Sequence, residues 1–332
     1  MKHQPFILLA VLALLALVGC ESLGGGQSVD DGKINAVTTV GMITDIVQQI
    51  GGDYVSVTGL MGPGVDPHLY RPTARNVQTL QNADIIFRGG LNLEGKMGEI
   101  FDRLSERIPV IAMSEDIPES ELLDFPAYPG HFDPHIWFDV SLWSMGVSTI
   151  ADALAELDPE HAEDYAANAA DYLQQLVALD AYVAETIQTI PEEQRVMITA
   201  HDAFQYFGRR YDIEVTGLQG ISTEAEAGVQ DVQNLVSFIV DRQIPAIFVE
   251  SSVPARTLEA VQEAARARGW DVHIPAQLFS DALGNAGTGE GTYVGMVLHN
   301  VAAITSGLGG NIPALPAELA DYQDVIDRAV SA

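Results

Sequence analysis

Eight histidines occur in the chain, and two of them close the same tripeptide, Asp66-Pro67-His68 and Asp133-Pro134-His135. Proline fixes its own φ and pushes the residue before it toward extended geometry, so each tripeptide is a stiff loop presenting an imidazole. The aspartate ahead of each proline, Asp66 or Asp133, is placed to accept a ring N–H and so fix the tautomer of a metal-bound histidine. His201 follows the strand-like run Arg195–Thr199 directly, and ligand residues in open α/β sheets gather at such C-terminal strand ends. Asp281 holds a comparable place shortly after the run Asp271–Ile274. Three imidazoles and one carboxylate suit a divalent first-row metal such as Zn2+ or Mn2+. Spacing alone leaves a blander reading open, in which these are satisfied core or loop histidines.

Other conspicuous residues have ordinary readings. His131, four residues before His135, is a solvated loop histidine or a spare ligand. His161, His273 and His299 are expected on the surface or in packing, and His3 belongs to the N-terminal leader. Glu250, at a strand end, reads first as a partner of Arg256 or of a helix terminus, with approach to the metal cleft as the alternative. The glycine-rich run 287–291 lacks the lysine of a phosphate loop. No Gly-x-Ser-x-Gly, His-Glu-x-x-His or Cys-x-x-Cys motif is present. The lone cysteine, Cys20, excludes an intrachain disulfide and a cysteine-based zinc site. With 16 Lys and Arg against 46 Asp and Glu, the formal charge of −30 argues against nucleic-acid binding and suits a cationic ligand or a salty medium.

The elements that must position these residues alternate between strand and helix. Ile34–Val40, Val55–Leu60, Ile85–Arg88 and Pro109–Met113 read as strands, separated by helical patterns at Met42–Ile50, Ala74–Gln81 and Lys96–Glu106. A second series has strands at Arg195–Thr199, Glu214–Leu218, Ala246–Val249 and Asp271–Ile274, with helices at Ala203–Tyr211, Glu224–Arg242, Thr257–Arg268 and Gly291–Ser306. The fold class is therefore α/β, as two α/β lobes with parallel sheets. Between them, apolar residues recur at Tyr165, Ala169, Tyr172, Leu176, Leu179, Val183 and Ile187, predicting one long rigid helix from about Pro159 to Thr189. The alternative is a long surface helix within a single domain. Two lobes closing over one ion would place the metal site in the cleft between them.

At the other end of the chain, Phe6 to Val18 is an unbroken apolar run of 13. That fits a signal peptide and falls short of the roughly 20 residues a membrane span needs. Leu17-Val18-Gly19-Cys20 resembles a bacterial lipobox, which implies a lipidated Cys20 as mature N-terminus and membrane anchor, followed by a Gly- and Ser-rich tether. The expected organisation is a signal peptide at 1–19, lipidated cysteine and tether at 20–33, an N-terminal lobe at 34–157, the connecting helix at 158–190 and a C-terminal lobe at 191–332.

The segments Gly64-Val65-Asp66-Pro67-His68-Leu69-Tyr70-Arg71-Pro72-Thr73, Asp133-Pro134-His135-Ile136-Trp137-Phe138-Asp139 and Thr199-Ala200-His201-Asp202-Ala203-Phe204-Gln205-Tyr206-Phe207 carry a more specific likeness. Together with Gln219–Glu224, Phe248–Ser252, the Asp281 segment and Gly291–Asn300, they resemble the zinc/manganese-type (family 9, cluster A-I) solute-binding lipoproteins of bacterial metal-ion ABC transporters. The resemblance runs in order over nearly all of Ile34 to Gly310. It implies His68, His135, His201 and Asp281 as ligands of a transported Mn2+ or Zn2+; that Asp66, Asp133 and Glu250 stand behind them comes from the reading of the residues given above. It further implies no organic cofactor, no catalytic residue, a cognate permease with its cytoplasmic ATPase as partners, and an extracytoplasmic, lipid-anchored monomer. The rival readings are a metal-dependent hydrolase and a surface adhesin of the same fold. Two departures leave the metal open: Glu115–Tyr128 is acidic but lacks the histidines of many zinc-specific members, and some manganese members have Glu where His201 stands.

Overall fold

The computed structural model describes residues 32–125 and 128–331. The leader, Cys20 and the tether as far as Asp31 lie outside the described residues. Four short strands, β1 (Ile34–Thr38), β2 (Val55–Gly59), β3 (Ile85–Arg88) and β4 (Val110–Ala112), form a parallel sheet in the order β2-β1-β3-β4. In register, Thr38 faces both Gly59 and Phe87, so the loops leaving β1, β2 and β3 emerge along one edge. The crossovers contain α1 (Gly41–Gly51), α2 (Ala74–Gln81) and α3 (Gly98–Leu104). Helix α1 buries Met42, Ile43, Ile46, Val47 and Ile50, the three-and-four spacing of an amphipathic helix on a sheet. Thr73 and Asn76 form a capping box that starts α2.

Helix α4 (Val140–Leu157) has no counterpart in the sequence reading. Apolar and small residues lie on most of its sides, so its helical period is blurred, and only its Asp139 cap, accepting from the Ser141 and Leu142 N–H groups, marks its start. Helix α5 (Ala162–Gln188) is the expected long helix, about 40 Å from end to end. It begins three residues later than expected, because Pro159–His161 forms a 3-10 turn first. Each of the seven periodic residues from Tyr165 to Ile187 is buried.

Beyond it, β5 (Val196–His201) pairs in parallel with β6 (Glu214–Gln219), accompanied by α6 (Gln205–Tyr211), α7 (Val229–Arg242) and α8 (Arg256–Ala267). The strands expected at Ala246–Val249 and Asp271–Ile274 appear only as single parallel bridges, Thr199 to Phe248 and Ala246 to His273. Pro245 and Pro275 border these segments and cannot donate to a ladder, which keeps the pairing short. The helix expected from Glu224 starts only at Val229, after an extended Gly228.

The last two helices, α9 (Tyr293–Gly307) and α10 (Gln323–Ser331), turn back toward the first sheet. Helix α9 packs on α5 and α1, Tyr293 stacks on Trp143, and its N–H donates to Asp45 (2.9 Å). One apolar core therefore joins the first sheet to α5, α9 and α10, and a second lies between β5, α7 and α8. The alternation of β5 sends Val196, Ile198 and Ala200 into the second core and Met197 into the first. By the same period His201 points to the Met197 side, away from α7 and α8. Among the described residues no helix is long and apolar enough to cross a membrane.

Candidate metal centre

The two Asp-Pro-His loops and the ends of the second-lobe strands meet at one buried point. His68 lies in the loop after β2, His135 in the loop before α4, His201 at the last position of β5, and Asp281 in the loop ahead of α9. His135 and His201 are fully buried, Asp281 is 1 % exposed and His68 5 %. One ligand atom from each lies within 4.8 Å of all the others. The Asp281 carboxylate faces all three rings, with Oδ2 at 3.3 Å from His201 Nε2 and 3.7 Å from His68 Nε2, and Oδ1 at 3.4 Å from His135 Nε2. His68 Nε2 and His135 Nε2 are 3.3 Å apart. Four donors each at about 2.1 Å from a tetrahedral metal are about 3.4 Å from one another. Four of the six separations, 3.3 to 3.7 Å, match that spacing, and all lie within 4.8 Å. Both Asp281 oxygens and His201 Nε2 are buried without a hydrogen-bond partner among the described residues, a costly arrangement unless a cation satisfies them.

Two of the rings are clamped from behind. Asp133 Oδ1 accepts from His135 Nδ1 (2.6 Å) and from its backbone N–H (2.9 Å). Glu250, at 1 % exposure, accepts from His201 Nδ1 (2.5 Å) and from its backbone N–H (2.8 Å). Each bond leaves Nε2 as the free donor to a metal. Glu250 thus serves His201, and the pairing with Arg256 or a helix terminus is not what the structure shows. Asp66 also departs from expectation, because its Oδ1 accepts from the His68 backbone N–H (2.8 Å) rather than from the ring. Its Oδ2 accepts from the Thr223 hydroxyl (2.6 Å), a competitor that the sequence reading gave no role.

Electrostatics follow this geometry. Burial would lower the pKa of every ring; at His68 it prevails and takes the value down to about 3. At His135 the Asp133 carboxylate overrides burial and raises it to about 9. At His201, Glu250 and then Asp281 override burial, well above the ordinary histidine value. Burial is likewise overridden at Asp281, where His201 and His135 hold the carboxyl well below the usual carboxylate range.

Further contacts fix the loops. Trp137 Nε1 donates to Ser280 O (3.0 Å), tying the His135 loop to the Asp281 loop. The Tyr206 hydroxyl donates to Asp133 O (2.9 Å) and accepts from the Leu123 N–H (3.0 Å). Asn300 pairs with both backbone groups of Phe279, at 2.9 and 2.7 Å. Gly217 allows the His201 loop to cross β6, since a Cβ there would be 2.5 Å from the Asp202 nitrogen. These roles escape a sequence reading; the only signals are a tyrosine five residues after His201 and a mid-helix asparagine, neither specific. The remaining histidines stay apart. His161 bonds Asp158 and stacks on Tyr54, His273 is exposed, and His299 donates to Gln277 O. His131 is exposed and lines a cavity beside His68, with Leu91, Asn92, Tyr128, Ser222 and Glu224.

The four side chains converge on one buried point beside the two parallel sheets and the long helix, a donor set of three imidazoles and a carboxylate suited to a cation. That is the build of a metal-ion solute-binding protein, the extracytoplasmic capture component of an ABC importer. Residues 36–307 match the ZnuA family, zinc-uptake complex component A periplasmic, and the chain belongs to it. It is 50 % identical to the zinc-binding protein TroA of Treponema pallidum over 299 residues, covering 90 % of this chain and 96 % of that protein. It is 44 % identical to the manganese-binding lipoprotein MntA of Bacillus subtilis over 307 residues, covering 92 % and 99 %. The solved structure of the periplasmic zinc-binding protein TroA from Treponema pallidum superposes with a TM-score of 0.82 at 51 % identity, covering 83 % of this chain and 99 % of that one. The protein is accordingly a transport binding protein and not an enzyme.

Proposed function

We propose that His68, His135, His201 and Asp281 form a closed shell around one Zn2+ or Mn2+, which the protein carries to a cognate ABC permease driven by a cytoplasmic ATPase. The observation that carries this reading is the convergence of three buried imidazole nitrogens on the Asp281 carboxylate, whose oxygens have no hydrogen-bond partner among the described residues. Relatives named for zinc and for manganese share the chain at 50 % and 44 % identity, and three nitrogens with one carboxylate accept either ion. A hydrolytic zinc keeps an open position and a free general base beside it. Asp133 and Glu250, the carboxylates directly behind the rings, each accept from an imidazole N–H.

Metal analysis of chelator-stripped protein reloaded with Zn2+ or Mn2+ tests the shell. One equivalent of either ion is expected, lost on Ala substitution of any of the four residues and kept in His131→Ala. Retention of full binding by two or more of the four variants would overturn the assignment. Zn2+ is expected to bind the more tightly in vitro, as it does at most N/O sites. We also propose that Cys20 carries the lipid anchor, as in the relatives named lipoproteins. Cys20→Ala is then expected to release the protein from membranes or leave an unprocessed precursor, and unchanged partitioning would remove Cys20 from this role.

A further inference from the structure

Ile136–Phe138, the buried 3-10 turn that follows His135, reaches the loops of two other ligands. Trp137 lies edge-on to the His135 ring, with centroids 5.1 Å apart. Its Nε1 donates to the carbonyl of Ser280, the residue before Asp281 (3.0 Å). Phe138 stacks at 4.0 Å on Phe204, in the loop that follows His201. One turn in the first half of the chain thus sets where His135 stands relative to both ligands of the second half. The turn is itself anchored, because the Tyr293 hydroxyl donates to the Trp137 carbonyl (2.8 Å). Trp137 is 2 % exposed and Ser280 is fully buried, so water does not compete for the indole N–H. Trp143 is just as buried, but its Nε1 has no partner among the described residues.

The separations that this brace preserves are short. The Asp281 oxygens stand 3.3, 3.4 and 3.7 Å from the three Nε2 atoms, close to the edges of a tetrahedron with bonds of about 2.1 Å. Zn2+ has no geometric preference of its own and accepts four ligands. Mn2+ favours an octahedral, oxygen-rich shell. A shell that admits water as a fifth or sixth ligand must open at least one edge of the tetrahedron. The bond from Trp137 to Ser280 resists opening of the His135–Asp281 edge, since Asp281 cannot draw back while the residue before it is held.

We infer that Trp137 determines ion selectivity: by holding Asp281 beside His135 it keeps the shell at four ligands and favours Zn2+ over Mn2+ beyond the ordinary order of affinities. The inference rests on the four-ligand reading above. Trp137 is a positioning residue, acting on the ion through the Ser280 carbonyl and the Asp281 loop.

The test compares Kd values for Zn2+ and Mn2+, by competition with chelators of known affinity, in the full chain and its variants. The ordinary order of divalent ions is common to all of them and cancels in the comparison. Trp137→Phe keeps an aromatic ring and removes the donor. Its Kd ratio, Mn2+ over Zn2+, is expected to fall about tenfold, the effect of leaving one buried carbonyl unpaired. Loss of packing alone would weaken both ions alike and leave the ratio where it was. Co2+ gives an independent reading, because its visible absorption is intense with four ligands and weak with six. The unsubstituted protein should give the intense spectrum and Trp137→Phe a weaker one. Trp143→Phe removes the same atoms from an equally buried indole and should change neither. The inference is overturned by a Trp137→Phe ratio that falls less than about twofold, or by a cobalt spectrum that is weak from the start or unchanged by the substitution. A Trp143→Phe ratio that falls as far overturns it too. Should Trp137→Phe fail to fold, Tyr293→Phe, which frees the Trp137 carbonyl, decides on the same criteria. Unsubstituted protein that takes up neither ion sinks the cargo reading, whereas one that binds both with a ratio indifferent to Trp137 sinks only this inference.

Discussion

At the residue scale, the site exchanges protons for a metal ion. Without metal, Asp133 raises the His135 pKa to about 9 and Glu250 raises that of His201 well above the ordinary histidine value, while burial takes His68 down to about 3. Ligation requires all three Nε2 atoms to be free of protons. On the four-ligand reading, a divalent ion takes the place of the imidazolium protons of His135 and His201 in a buried pocket that also holds the Asp133, Glu250 and Asp281 carboxylates. Calorimetry at pH 7 in buffers of different ionisation enthalpy should show release of about two protons per metal bound. The sign of the pH dependence follows. In the metal-free protein the raised histidine values contribute stability below the unfolded pKa of about 6.5, which is lost as pH rises through about 9. Metal affinity moves the opposite way, so the metal-induced gain in Tm should grow from pH 6 to pH 9; a gain that shrinks over that range contradicts the exchange. Glu250→Gln removes the charge behind His201 and should weaken metal binding by 10- to 100-fold, measured by competition with a chelator of known affinity.

Elements decide how much the molecule moves. Helix α5 runs 27 residues without glycine or proline, with one buried stripe along its length, so it has none of the usual causes of a kink. Metal binding should accordingly change distances between spin labels on β2 and α8 by only a few ångströms; a change on the order of 10 Å would show that the connector bends. Helix α9 acts as a splint of another kind. Asn300 offers its carboxamide to both backbone groups of Phe279, two residues before Asp281, in the manner of a neighbouring strand. Asn300→Ala leaves that half-buried backbone pair without its side-chain partner. It should lower metal affinity about tenfold while the far-ultraviolet circular dichroism is unchanged, the outcome to check against a purely global destabilisation.

For the whole molecule, two long-range terms matter. A metal that binds the folded chain alone adds RT ln(1 + [L]/Kd), about 4 kcal/mol at a thousandfold excess over Kd, or on the order of 10 °C in Tm. Scanning calorimetry with and without metal reads this directly, and His273→Ala, on the exposed side of its segment, should leave the shift intact. The other term is the charge of −30, which repels itself. Raising salt from 10 mM to 500 mM should raise the metal-free Tm through screening; a fall would mean that surface ion pairs such as Arg266–Asp271 outweigh the repulsion.

What the sequence determined by itself is whatever repeats or punctuates locally. Proline-stiffened loops singled out His68 and His135, strand-end positions pointed to His201 and Asp281, and the three-and-four spacing from Tyr165 to Ile187 drew α5 almost to its ends. These patterns are visible because one residue's neighbours in sequence are also its neighbours in an element. Helix α4 was hidden for the same reason, since burial on most sides erases the period that would reveal it. The tertiary structure alone decided the partners. Identical Asp-Pro-His tripeptides place Asp133 on a ring and Asp66 on a backbone, because only the second meets the Thr223 hydroxyl, 157 residues away. Glu250 finds His201 rather than Arg256, and α9 and α10 leave the second sheet to complete the first core. Each choice is a competition between groups distant in the chain, settled by which of them the packed cores bring within about 3 Å.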